Sequence, residues 1–178
     1  MKIALISSLV ALTMFQATAA SNVLQTAIAN DYNEHLAPLF THFHQNPELS
    51  NLEFKTAKRL AKELRNAGFE VTEGVGNTGV VAILKNGDGP LVMMRADMDG
   101  LPVEEKSGLP NASKARQVDP DGNEVPVMHA CGHDVHITSL VGPARQMAAS
   151  KDTWTGTLML IGQPAEEKIG GAKLMMED

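Results

Sequence analysis

Two short apolar runs break off abruptly into charged residues, and this pattern constrains the chain more than any other feature. Residues 91–94 lead into Arg95-Ala96-Asp97-Met98-Asp99-Gly100-Leu101-Pro102, and residues 157–162 lead into Gln163-Pro164-Ala165-Glu166-Glu167. Apolar runs this short, bounded by polar or turn residues, read as buried strands rather than helices. The runs 79–85 and 91–95 are nearly continuous in apolar character, which predicts central strands covered on both faces. In α/β sheets the carboxyl ends of strands face the ligand crevice, so residues placed there are candidates for chemistry.

Helical spacing fills the space between these strands. Over 22–43 the apolar positions Val23, Ala27, Ile28, Leu36, Leu39, Phe40 and Phe43 predict helix, ended by Pro47. Phe54, Ala57, Leu60, Ala61, Leu64 and Ala67 form one face of a second helix, with Lys55, Lys58, Arg59, Lys62, Glu63 and Arg65 in water and Gly68 as the stop. Residues 69–72 read as a strand, 86–90 as a turn, and 104–128 as irregular with a hairpin at Asp119-Pro120-Asp121-Gly122. Helices are expected over 133–150 and 171–177. Pro143 falls inside the former, where it removes the bond to residue 139 at a cost of about 3 kcal/mol, so a kink or two short pieces is expected. The alternation of helix and strand is an α/β layering.

The chain has 178 residues, 43% of them apolar, enough for one core. Its net charge of −6, without a basic block, argues against nucleic acid and anionic membrane surfaces as partners, and 4% aromatics gives no base-stacking surface. A single cysteine, Cys131, excludes an intramolecular disulfide framework. Residues 1–20 read as a secretory signal peptide: Lys2, an apolar run over 3–15, then Ala17-Thr18-Ala19 before the cut. That run is shorter than the roughly 20 residues a membrane span requires. The expectation is an exported protein, periplasmic or secreted, with no membrane span.

The densest chemistry lies in Met128-His129-Ala130-Cys131-Gly132-His133-Asp134-Val135-His136. Thiolate and imidazole suit borderline-soft divalent metals, and in an extended segment Cys131 and His133 would point to one side. The plainer alternative is a helix N-terminus with a surface histidine and an inert cysteine. A closed structural zinc site would need a second Cys/His pair, which the sequence lacks. Cys131 with His133 as nucleophile and base would need hydrogen-bond geometry that neighbours on one strand edge rarely reach, and a free thiol for intermolecular pairing is a further possibility. Of the adjacent Glu166 and Glu167, one can bind metal while its neighbour serves as general base, or both can be a solvated pair opening a helix. Asp97 and Asp99 suit a ligand and an orienting group, or ordinary turn chemistry.

Taken in order, these motifs resemble the M20 metallopeptidase family. His44-Gln45-Asn46-Pro47-Glu48-Leu49-Ser50, the 95–102 and 128–136 segments, and 163–167 followed by Gly170-Gly171-Ala172 carry the resemblance. Thr78-Gly79-Val80-Val81-Ala82 and Trp154-Thr155-Gly156-Thr157-Leu158 extend it, so that it covers essentially the whole mature chain. The branch it resembles includes hippurate hydrolases, N-acyl-amino-acid amidohydrolases, auxin-conjugate hydrolases and related carboxypeptidases. The resemblance implies the N-terminal part of a zinc-peptidase-like α/β catalytic domain, with a mixed sheet covered by helices. It implies a metal-dependent hydrolase of amide bonds acting on a small N-acyl amino acid or peptide. Cys131, His133 and Glu167 would be metal ligands and Glu166 the general base. Asp99 would steady the site from behind, Asp97 stands where other branches have a histidine ligand, and His136 would support.

The family form binds two divalent ions (zinc, manganese, cobalt or nickel). Departures are Asn46 in place of a second histidine, and Pro143. The larger departure is length: the family continues through a further histidine ligand, an inserted lid or dimerisation domain and a last histidine. The expectation for 21–178 is therefore a truncated catalytic domain with at most one well-formed metal site and little activity alone, the homodimer belonging to the longer form. Two alternatives are a noncatalytic metal-binding or interaction protein, and one half of a split enzyme.

Overall fold

The computed structural model describes residues 23–178, and the expected signal peptide lies outside them. Helix runs from residue 23 through a π-helical turn, Tyr32–Leu36, into α1 (Ala37–Gln45), whose Leu39 and Phe43 lie one turn apart and are buried. Next comes α2 (Phe54–Asn66), on the predicted face with two corrections. Phe54 is exposed, and Glu63 is buried rather than wet, because it accepts from Arg59 Nε and pairs with His35 Nε2, each at 2.8 Å. Glu48, outside the helix, caps it by accepting the backbone N–H groups of Lys55 and Thr56.

The remaining elements are β1 (Glu70–Val75), β2 (Gly79–Asn86), β3 (Leu91–Asp97), β4 (Arg116–Val118), β5 (Glu124–Pro126), α3 (His133–Ala149), β6 (Gly156–Gln163) and α4 (Gly171–Glu177). The main sheet has the order β1-β2-β6-β3. It is mixed: β2 runs antiparallel to β1 and β6, and β3 runs parallel to β6. The 86–90 turn therefore closes no hairpin, since β6 lies between the strands it joins. The parallel register pairs Asp97 with Gln163, so β3 and β6 end level and their polar clusters emerge side by side.

β3 is not the doubly covered central strand that its composition predicts. It is the edge of the described sheet, and Leu91, Val92 and Met93 are each more than half exposed. β2 and β6 do alternate buried and half-buried residues, with Val80, Ala82, Leu84, Leu158 and Leu160 facing the core. Leu60 and Leu64 of α2 and Ile137, Leu140 and Val141 of α3 close that core from one side. Pro143 neither splits nor ends α3. Ser139, whose carbonyl loses its helical partner, is exposed, and water can satisfy it. The β4–β5 hairpin forms at the expected turn, where Asp119 Oδ1 accepts the N–H groups of Asp121 and Asn123. Among the described residues no helix is long and apolar enough to cross a membrane.

Candidate metal centre

Cys131 and His133 do not share one side of an extended segment. They flank Gly132, whose φ of +77° lies in the left-handed region that glycine enters without strain, and the chain turns there into α3. Cys131 is left exposed on the turn, while His133, the first residue of the helix, is 3% exposed. Glu166 and Glu167 sit in a turn just past β6. That turn is held closed at its far end, since any side chain at position 171 would collide with the Pro164 carbonyl.

His133 joins these segments. Its Nδ1 lies 2.8 Å from the backbone carbonyl of Asp99. A carbonyl only accepts, so Nδ1 carries the hydrogen and Nε2 faces the other way. Nε2 lies 3.9 Å from Asp97 Oδ2, 3.8 Å from Glu166 Oε2 and 4.0 Å from Glu167 Oε1. The 131–133 turn and the end of β6, thirty residues apart in sequence, thus meet at one imidazole. Burial alone disfavours the imidazolium, but the hydrogen bond and charge of Asp99 and the charge of Asp97 outweigh it and push His133 up to about 9.

Asp99 ties the turn to the rest of the fold. It is buried, its Oδ1 accepts the Glu166 N–H and its Oδ2 the Glu167 N–H, each at 3.1 Å, and Ser50 donates to Oδ2. Burial pushes this carboxyl up; the His133, Ser50 and backbone hydrogen bonds override it and hold Asp99 below the usual carboxylate range. Asp97 behaves in the same way: burial raises it, while the hydrogen bond to His136 and the charges of His133 and Arg95 bring it lower. His136 stacks on His133 at 5.5 Å between ring centres.

Two overlapping groups, Asp97–His133–His136 and His133–Glu166–Glu167, each bring three potential ligand atoms within 4.8 Å of one another. In the first, Asp97 and His136 are already bonded to each other. The second holds an orphan: Glu167 Oε1 is buried and has no hydrogen-bond partner among the described residues. The neighbouring Glu167 carboxylate, ahead of burial and the other carboxylates, raises the Cys131 thiol. An unpaired carboxylate oxygen, a free imidazole nitrogen and an adjacent sulfur form a donor set that fits a borderline-soft divalent cation.

Four groups around the site carry no role in the sequence reading. Ser50 holds Asp99. Glu53, fully buried, accepts the Ala165 N–H at 2.8 Å and the Thr78 hydroxyl at 2.6 Å. His44 bridges Asp134 and Glu105. His129 is buried 6.5 Å from the His133 ring, and burial pushes it down to about 4. Glu53 looks in sequence like one more charge opening a helix, so only its burial reveals it. The two histidines lie within quoted motifs, which is the signal that could have found them.

Residues 93–178 match the model of peptidase family M20/M25/M40. The chain is 47% identical over 136 residues to a hippurate hydrolase from Campylobacter jejuni, covering 76% of this chain and 33% of that protein. It is 42% identical over 138 residues to an N-acetyl-L-cysteine deacetylase from Bacillus subtilis, covering 77% and 31%. Among solved structures, the YXEP protein of Bacillus subtilis, described as a dinuclear metal binding peptidase from the M20 family, superimposes with a TM-score of 0.73 at 35% identity, over 83% of this chain and 39% of that one. The chain spans about a third of the length of the curated relatives it matches. The chain carries part of a peptidase family M20 domain and corresponds to the N-terminal part of these relatives.

Proposed function

We propose that this chain carries the base and part of the metal site of a metal-dependent hydrolase that cleaves the amide bond of N-acyl amino acids. The observation that carries the reading is the single imidazole, His133, with one nitrogen fixed by Asp99 and the other facing Glu166 and Glu167 within 4.0 Å. Cys131, His133 and Glu167 would hold the metal. A divalent metal bound there lowers the pKa of water and polarises a carbonyl, which makes attack possible at neutral pH.

The chain's own groups divide the remaining work. Glu166, less buried than Glu167, takes a proton from the attacking water as its oxygen adds to the amide carbon. The same carboxyl then returns that proton to the amine nitrogen as the C–N bond breaks, leaving a carboxylic acid and a free amino acid. Asp99 holds both glutamates in place through their backbone N–H groups and keeps the His133 tautomer. Asp97 and His136, bonded to each other, pack against His133 and stiffen it. The pairing of Asp97 with His136 supports one well-formed site within this segment, a second ion requiring ligands from further polypeptide. The names of the two curated relatives, both hydrolases of acylated amino acids, support the substrate class.

The test is hydrolysis of an N-acyl amino acid panel by the metal-loaded protein expressed from its whole reading frame. Glu166→Gln is expected to cut kcat by about 10²–10⁴-fold while metal content stays the same. Turnover retained in that variant would remove Glu166 as the base. Export is part of the proposal, and a mature N-terminus at Ala20 or Ser21 in secreted or periplasmic material would support it. The uncovered apolar edge of β3 favours a second reading, an interaction protein without activity; a metal-loaded protein inert on the whole panel supports that one.

A further inference from the structure

A cavity of about 590 Å³ opens beside Glu167, a size within the range of roughly 300–1,000 Å³ found for small-molecule clefts. Its apolar lining comes from Leu49, Leu52, Leu101, Pro102 and Pro120. Leu49 is buried and Leu52 and Leu101 are half-buried, whereas the two prolines are exposed. The apolar part therefore lies deep and the cavity opens between the 49–52 loop and the β4–β5 hairpin.

This cavity is built into the same framework as the metal centre. Ser50 donates to Asp99, the carboxylate that positions Glu166 and Glu167. On the other side Gln117 of β4 clamps the loop: its Oε1 accepts the Leu49 N–H at 2.7 Å and its Nε2 donates to the Leu52 carbonyl at 3.2 Å. Asn51, at a φ of +64°, is held by the Asn77 amide on its carbonyl. One loop thus links the hairpin wall of the cavity to the backbone of the candidate base.

We propose that this cavity receives the acyl group of the substrate, and that it selects an apolar acyl chain; the proposal rests on the amide-hydrolase reading above. Charge decides which half of the substrate fits. The lining carries three carboxylates, those of Asp119, Asp121 and Glu167, and one cation, Lys168. An amino acid released by hydrolysis carries an α-carboxylate, which this rim repels. An apolar acyl chain brings no charge to desolvate, and each buried methylene raises kcat/KM about fourfold. The same rim disfavours acyl groups ending in a carboxylate.

The experiment uses the metal-loaded protein from its whole reading frame and glycine acylated with acetyl, butanoyl, hexanoyl or succinyl groups. Wild type is expected to prefer hexanoyl over acetyl and to reject succinyl. Leu52→Trp, which fills the cavity, is expected to lower kcat/KM about tenfold more for hexanoyl than for acetyl. Asp121 is exposed at the hairpin tip, and Asp121→Lys is expected to raise succinyl relative to butanoyl several-fold without disturbing the fold. If Leu52→Trp loses all turnover, the Asp121→Lys ratio decides alone. Hydrolysis by both variants with the wild-type ranking of acyl groups overturns the cavity assignment and leaves the hydrolase reading intact. A Leu52→Trp effect that follows the amino acid rather than the acyl group overturns it too. Wild type inert on every substrate overturns the hydrolase reading, and the acyl pocket with it.

Discussion

His133 donates from Nδ1 to the backbone carbonyl of Asp99 at 2.8 Å, while the Asp99 carboxylate accepts the N–H groups of Glu166 and Glu167. One aspartate thus sets both the tautomer of the imidazole and the position of the two carboxylates opposite it. Asp99→Asn places an amide nitrogen against N–H donors and is expected to weaken zinc binding by about 10–100-fold. A competitive chelator titration measures this. Unchanged affinity in a folded Asp99→Asn variant would show that the site does not depend on the Asp99 carboxylate.

Glu53 braces the same turn from the opposite side, through the Ala165 N–H and the Thr78 hydroxyl. Burial raises this carboxyl more than its hydrogen bonds lower it. Glu53→Ala strands both donors in the core and should cost about 1–3 kcal/mol. Glu53→Gln keeps an acceptor and should cost less. Urea denaturation of the two variants gives the order, and equal losses would contradict the bracing role.

Far from the site, Arg145 holds Asp31 with three short N–H to oxygen contacts. Burial pushes Asp31 up, and the Arg145 hydrogen bonds and charge override it, leaving it below its ordinary 3.8. A depressed carboxylate contributes stability in full above the unfolded-state value and loses it as pH falls through the folded one. Asp31→Asn should therefore cost about 1.5–3 kcal/mol near neutral pH. Its Tm deficit should shrink once the pH drops below 3.8. Melts at both ends of that range test it, and a deficit independent of pH would contradict the ion pair.

Leu91, Val92, Met93 and Met94 point alternately to both faces of an edge strand and remain exposed on each. An open, flat, apolar edge is a template for pairing with other chains. Val92→Lys should shift the described chain toward monomer in sedimentation, and an unchanged distribution would mean that this edge is not where copies meet.

The strands, helices and hairpin were legible because apolar periodicity and turn residues act locally. The covering of β3 was not, since an apolar run is the same whether the chain at hand buries it or leaves it open. The candidate site was half legible. Cys131, His133, Glu166 and Glu167 stand out as residue types, and the level ends of β3 and β6 bring Asp97 and Asp99 beside the two glutamates. Cys131 and His133 as strand neighbours failed because Gly132 takes a left-handed turn there, a conformation that glycine permits and sequence alone does not demand. Glu63 reads in sequence as a surface charge because nothing local to it announces the partner, His35, that helps bury it.

The central claim is that sulfur, imidazole and carboxylate meet on one cation. X-ray absorption at the zinc edge of the zinc-loaded protein tests it most directly. The account predicts one sulfur at about 2.3 Å beside nitrogen and oxygen neighbours. That sulfur should be lost in Cys131→Ser. A zinc shell of nitrogen and oxygen alone in the wild-type protein would contradict it.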